Sequence, residues 1–205
     1  MIVVVDYGMG TVRSLSNALQ WLGADCKVSA EASTIRAAER VILPGVGAFG
    51  DAMAAIRERR LDRTLQECVR SRGTPMLGIC LGMQLLAKSS NEHGAHEGLG
   101  WFDATVERFE LPPTLKIPHI GWNSIHYADS EPLFSNVPAD DRNFYFVHSF
   151  RVRCRDAADV LATCRYGEEF AAAIRRGNVV ATQFHPEKSQ DNGLSVLRNF
   201  LEWNP

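Results

Sequence analysis

What the chain lacks narrows it first. No apolar run approaches the ~20 residues that a membrane-spanning helix needs, so no membrane partner is expected. There is no basic excess. The 22 lysines and arginines face 24 aspartates and glutamates, for a formal net charge of −2. A surface built to neutralise a phosphate backbone needs such an excess, so nucleic acid is not an expected partner. A secretory leader is missing as well. Met1–Val5 is a short apolar run and Asp6 follows at once, whereas a signal peptide has a basic start and a longer apolar core. The expected location is the cytoplasm. The five cysteines, Cys26, Cys68, Cys80, Cys154 and Cys164, are odd in number and show no C-x-x-C spacing. That argues against a disulfide framework or a zinc ribbon. Repeats, low-complexity tracts and linkers are also absent. At 205 residues, 45% hydrophobic and 22% charged, the composition excludes wholesale disorder and collagen-like structure. Residues 1–205 read as one domain.

The apolar pattern alternates in type along the first half. Ile2–Val5 is a continuous β-branched run, the mark of a strand buried on both faces. Val12, Leu15, Leu19 and Leu22 then share a helical face that Gly23 ends. Cys26–Val28, Arg40–Leu43 and Pro75–Ile79 read as further strands, and a long helix is expected from about Phe49 to Val69. Another helix is expected over Gly82–Ala87. Alternation of this kind implies a parallel α/β sheet. After about Gly98 the pattern becomes strand-rich, over 103–109, 143–153, 159–165, 169–174 and 178–184. That predicts an added antiparallel portion. Leu194, Leu197, Phe200 and Leu201 predict a closing helix, while 88–98 and 110–118 read as loops.

Three segments carry chemistry. Gly78-Ile79-Cys80-Leu81-Gly82 follows a strand and precedes a helix, the pattern of a nucleophile elbow with cysteine in place of serine. Such a turn exposes the nucleophile at the carboxyl edge of the sheet. The helix start offers N–H dipoles that favour an anion, and the Leu81 amide is placed to hold an oxyanion. A structural cysteine in a glycine-rich turn gives the same short pattern. Phe184-His185-Pro186-Glu187 supplies a base, with Glu187 two residues on to orient the His185 ring. In an extended segment these two side chains point the same way. A solvated loop is the alternative. Pro44-Gly45-Val46-Gly47 ends another strand at the same edge, where Gly47 can bring an amide to an oxyanion without an intervening Cβ, or simply close a turn. Gly8-Met9-Gly10 lacks the third glycine of a dinucleotide fingerprint, Arg13 standing in its place, so a nucleotide cofactor is rejected. His93 and His96 lie in a polar loop without H-E-x-x-H order, and no metal site is expected.

Taken together these segments resemble the triad-type, class I glutamine amidotransferases, over nearly the whole chain. Within that family the chain is similar to glutaminase subunits that serve histidine biosynthesis. The segments that carry this are Asp6–Gly10 with Arg13-Ser14, Pro44–Phe49, Pro118-His119-Ile120-Gly121-Trp122-Asn123, and Phe146–Ser149 with Phe184–Ser189. The resemblance implies a flavodoxin-like α/β fold with a central, mostly parallel sheet flanked by helices. It implies hydrolysis of glutamine to glutamate and ammonia, without cofactor or metal, and delivery of the ammonia to a (βα)8-barrel cyclase subunit in a heterodimer. Cys80, His185 and Glu187 resemble the triad, and Gly47 and Leu81 the oxyanion donors. Gln84, Glu92, His148 and Ser149 resemble glutamine-binding positions. Trp122 and Lys188 resemble residues at the partner interface beside the ammonia route. Thr11-Val12, Phe150 and Trp101-Phe102-Asp103 depart from the usual pattern. A free-standing glutaminase, a glutaminase of another synthase, or a non-enzymatic binder on the same fold are the rival readings.

Overall fold

The computed structural model describes residues 1–10 and 12–205; Thr11 lies outside the described residues. Short aliphatic runs make the centre of a nine-stranded sheet. Strands β1 (Ile2–Val5), β2 (Cys26–Ser29), β3 (Arg40–Leu43) and β4 (Met76–Ile79) run parallel to one another. Strand β13 (Val179–Thr182) joins them, parallel to β4. β1, β4 and β13 are buried at every position, as strands covered on both faces must be. The antiparallel extension consists of β12 (Glu168–Arg176), β11 (Val160–Tyr166), β8 (His119–His126) and β9 (Asn143–His148). The full order is β2-β1-β3-β4-β13-β12-β11-β8-β9.

Alternate residues of the parallel strands feed two cores. Val3, Val5, Val41 and Leu43 face one side, and Ile2, Val4, Ile42, Leu77 and Ile79 the other. This is the two-residue period of a strand turned into two apolar layers. Helices α2 (Ala32–Arg36), α3 (Phe49–Glu58) and α4 (Leu61–Leu65) supply Ile35, Phe49, Met53, Ile56, Leu61 and Leu65 to the first core. Helices α1 (Val12–Trp21) and α6 (Gln190–Glu202) supply Leu15, Leu19, Val196, Leu197 and Phe200 to the second. Among the described residues no helix is long and apolar enough to cross a membrane.

Four parts of the chain differ from the sequence expectation. The long helix over Phe49–Val69 is broken at Arg60, which takes a left-handed φ of 55° between α3 and α4, and a π-helical segment Gln66–Ser71 follows. The five-residue step from Ile56 to Leu61 does not fit a 3.6-residue period, so an unbroken helix would carry one of them off the buried face. The helix after the elbow, α5 (Leu81–Gln84), is one turn long, and the chain continues into β5 (Ala87–Ser90). β5 enters a second sheet, ordered β10-β7-β5-β6, with β6 (His96–Glu97), β7 (Phe102–Arg108) and β10 (Phe150–Cys154). Pairing of Ala87 opposite Phe102 overrides the weak helical signal there. The expected single strand 143–153 is two strands, β9 and β10, one in each sheet, with the switch at Ser149. β8 was not read as a strand at all.

Candidate active site

The parallel strands deliver their following loops to one edge, as in other open α/β sheets. Cys80 leaves β4 with φ 54° and ψ −110°, a conformation that L-residues pay to hold. Its N–H donates to the Thr182 carbonyl at 2.8 Å. Gly82 is required by this turn, because a Cβ there would stand 1.8 Å from the Leu43 carbonyl oxygen. Since α5 is a single turn, little macrodipole builds up behind the sulfur. The cation that faces Cys80 comes instead from a side chain, His185.

His185 follows β13 and is almost wholly buried, as is the Glu187 side chain, at 1% and 2% exposure. Its Nδ1 lies 2.8 Å from Glu187 Oε1. The contact is made by a 3-10 turn, Pro186–Lys188, not by an extended segment. The Ser189 hydroxyl donates to the His185 carbonyl at 2.7 Å, and the His185 N–H donates to the Tyr145 carbonyl at 2.9 Å. The backbone of the base is thereby fixed at both ends. Nε2 makes no regular hydrogen bond among the described residues. Burial works against a charge on this ring, but the Cys80 sulfur and the Glu187 carboxylate outweigh it and push His185 up to about 10.

The loop after β3 holds one peptide in a telling orientation. The Gly45 carbonyl accepts from the Leu81 N–H at 3.4 Å, and the Val46 N–H donates to the Met9 carbonyl at 3.4 Å. The Gly45 carbonyl thus occupies the Leu81 N–H, while the Val46 N–H is held by another loop. The loop is tightly built: the Tyr7 hydroxyl donates to the Pro44 carbonyl at 2.9 Å, and a Cβ on Gly45 would meet that hydroxyl at 2.3 Å. Burial and the nearby Cys80 push the Tyr7 phenol up.

A cleft of about 300 Å³ opens over the sulfur, and Gly47, Cys80, Leu81, Gln84, Glu92, His148 and Ser149 all line it. Glu92 Oε2 accepts from the Phe49 N–H at 2.7 Å, which ties the cleft wall to the start of α3. Gln84 Nε2 donates to the Phe150 carbonyl and to Gln183 Oε1, both at 3.1 Å. Gln183 Nε2 in turn donates to the Cys80 sulfur at 3.7 Å. Sequence reasoning passed over Gln183. Its signal was a polar residue at the end of an apolar strand, one place before Phe184-His185. Trp122 and Lys188 are not in this cleft. They flank Tyr145, with the Trp122 ring 6.0 Å from it and Lys188 Nζ 5.9 Å above it. Ile120 and Trp122 are 59% and 48% exposed on one face of β8. The Cys80 sulfur lies 3.9 Å from the Val147 carbonyl oxygen, and Val147 pairs with Ile120 in the β8–β9 ladder. Among the described residues no group of histidine, cysteine, aspartate and glutamate is placed to hold a metal ion.

Residues 3–203 match the family described as glutamine amidotransferase class-I. The chain is 49% identical to the imidazole glycerol phosphate synthase subunit HisH of Rhodopirellula baltica, over 98% of this chain and 96% of that one. It is 46% identical to the subunit HisH 2 of Nitrobacter winogradskyi, over 100% and 99%. Among solved structures it resembles a glutamine amidotransferase with a TM-score of 0.73 at 23% identity, covering 98% of each chain. It also resembles PurLQS of Thermotoga maritima, with a TM-score of 0.72 at 20% identity over 98% of this chain and 97% of that one. At those identities the structures speak for the fold.

Proposed function

The chain belongs to the class-I glutamine amidotransferases, among the HisH subunits of imidazole glycerol phosphate synthase, and we propose that it makes ammonia for a cyclase subunit with a Cys80–His185–Glu187 triad. The observation that carries the proposal is a strained Cys80 facing a buried histidine whose far nitrogen is held by a buried carboxylate. In the cleft, Gln84, Glu92, His148 and Ser149 hold glutamine. The Cys80 sulfur, its proton already held on the His185 imidazolium, attacks the side-chain amide carbon, and His185 passes that proton to the departing ammonia. A γ-glutamyl thioester remains on Cys80. Water, activated by the now neutral His185, then releases glutamate and restores the sulfur–imidazolium pair. Glu187 holds the His185 Nδ1 proton throughout, so Nε2 is the nitrogen that works.

The oxyanion needs two donors. At rest the Leu81 N–H is occupied by the Gly45 carbonyl, and the Val46 N–H is turned to Met9. Rotation of the one peptide between Gly45 and Val46 frees the first donor and delivers the second. The ammonia leaves past Val147 towards the Ile120–Trp122 face of β8, where Trp122 and Lys188 meet a (βα)8-barrel cyclase. There ammonia reacts with a phosphoribulosyl-formimino carboxamide ribonucleotide to give imidazole glycerol phosphate and an aminoimidazole carboxamide ribonucleotide. The test supplies amide-labelled [15N]glutamine to the chain with its cyclase and the nucleotide substrate. The label is expected in the imidazole product. Cys80→Ala is expected to stop this with glutamine but not with ammonium salts. Undiminished glutamine use by that variant would sink the proposal.

A further inference from the structure

Two buried histidines do no proton transfer in this scheme. His119 and His148 stand directly opposite each other in the β8–β9 ladder, at 3% and 6% exposure. His119 is stacked between Phe146 and Tyr166, with ring centres at 5.0 and 4.1 Å. His148 lies against Phe109 and Phe170, both at 5.1 Å. Burial pushes His119 down to about 4 and His148 down to about 3, so both rings are neutral at pH 7.

A neutral imidazole has one donor and one acceptor, and its neighbours decide which is which. His148 Nδ1 is 2.8 Å from the Phe150 carbonyl. A carbonyl only accepts, so Nδ1 carries the proton and Nε2 accepts. His119 Nδ1, 3.0 Å from that Nε2, must then donate. The remaining His119 Nε2 accepts from Asn123 Nδ2 at 3.4 Å, and the same amide donates to the Arg165 carbonyl at 3.0 Å, which fixes its orientation. On the far side the Phe150 carbonyl also accepts from Gln84, which donates to Gln183, which donates to the Cys80 sulfur. Each link has a fixed donor, and the two runs meet at the Phe150 carbonyl, which accepts from His148 on one side and from Gln84 on the other.

We infer that His119 and His148 are positioning residues: they carry a connected line of hydrogen bonds from Asn123 on β8 to the Phe150 carbonyl, which Gln84 shares from the far side and extends through Gln183 to the Cys80 sulfur. The line begins on the strand whose other face exposes Ile120 and Trp122, and it ends on the reacting atom. It rests on the amidotransferase reading only for what that sulfur does. Removing the His119 donor leaves His148 Nε2 as a buried acceptor without a partner. The cost of that is met by moving the ring, and with it the groups downstream.

Three measurements test it. In a long-range 1H–15N spectrum of the wild-type chain at pH 7, both imidazoles are expected as neutral Nδ1–H tautomers. An Nε2–H tautomer on either ring overturns the line without reference to activity. His119→Phe keeps the stacked ring and deletes the donor. Alkylation of Cys80 by iodoacetamide, read on its own peptide by mass spectrometry, is expected to change at least threefold. In the complex with the cyclase, glutaminase kcat is expected to fall about tenfold with KM within threefold, and ammonium-dependent synthesis to stay unchanged. His119→Asn, which places an amide donor near the Nδ1 position, is expected to restore both readouts to within threefold of wild type. Wild-type alkylation and kcat in His119→Phe, or a loss that His119→Asn does not repair, overturns the inference. Absence of glutamine hydrolysis by the wild-type complex would overturn the function proposed above, while the tautomers and the alkylation rate would still judge the line.

Discussion

Cys80 stands in a backbone conformation that side chains rarely adopt, and His185 is buried beside it with a raised affinity for its proton. The strained turn costs folding free energy, and both features serve an activated sulfur at the floor of the cleft. Cys80→Ala removes the attacking atom while leaving the turn as it is. A loss on the order of 10⁶ in kcat is expected, since members of such a unit fail together. A thermal melt should show the fold intact. Glu187→Gln keeps a hydrogen-bonding side chain but loses the charge that holds the imidazolium. A loss well short of the Cys80→Ala value is expected in steady-state assays, because a thiol needs less help from an oriented imidazole than a hydroxyl does.

At the scale of elements, two segments decide when and where ammonia appears. The turn after β3 holds its Gly45–Val46 peptide with the carbonyl towards Leu81. Without the second donor, hydrolysis is slowed by about 10²–10³, the usual worth of one oxyanion-hole donor. Stimulation of that size is expected in kcat when the partner binds its nucleotide, with the Val46 amide exchanging its hydrogen faster in the free chain than the Leu77 amide of β4. A free chain that already turns over at the stimulated rate would remove the latch. Strand β8 presents Trp122 at 48% exposure beside Tyr145 and Lys188. Large half-exposed aromatics of this kind anchor interfaces, and truncating one costs about 2 kcal/mol or more, roughly thirtyfold in Kd. Trp122→Ala is therefore expected to weaken the heterodimer by about that factor in ultracentrifugation with an unchanged melting curve. A drop in Tm instead would make Trp122 a packing residue.

For the whole molecule the buried histidines set a pH dependence of stability. His119 and His148 hold off protonation until about pH 4 and 3, whereas the unfolded chain protonates both near 6.5. Between those values the unfolded state binds more protons, so stability falls as pH falls, by up to ~1.4 kcal/mol per pH unit for each ring. Once pH is about half a unit below 6.5, His185 is protonated in both states and adds little slope. A fall of several degrees in Tm is expected from pH 6 to 5, and His119→Phe should roughly halve it. A flat Tm over that range would mean that the two rings are charged in the folded protein.

The residue types of the site were legible in the chain because they are constrained locally. Gly78-Ile79-Cys80-Leu81-Gly82 between an apolar run and a helical one has few other uses, and Gly82 admits no Cβ beside Leu43. The parallel half of the sheet was legible for a like reason, as strands buried on both faces are apolar throughout. What depended on distant partners was not. β8 is polar and half exposed along much of its length, so only pairing with β9 and β11 makes it a strand. The stop of α5 at Gln84 and the entry of β5 beside β7 depend on a partner found later in the chain. The same holds within the site. The Val46 N–H is held as it is because the Met9 carbonyl of another loop accepts it. His119 meets His148 only through the β8–β9 register. Sequence alone determined which groups the chemistry has to work with. The tertiary structure decided which way each donor points, because a hydrogen bond is directional and its partner lies tens of residues away.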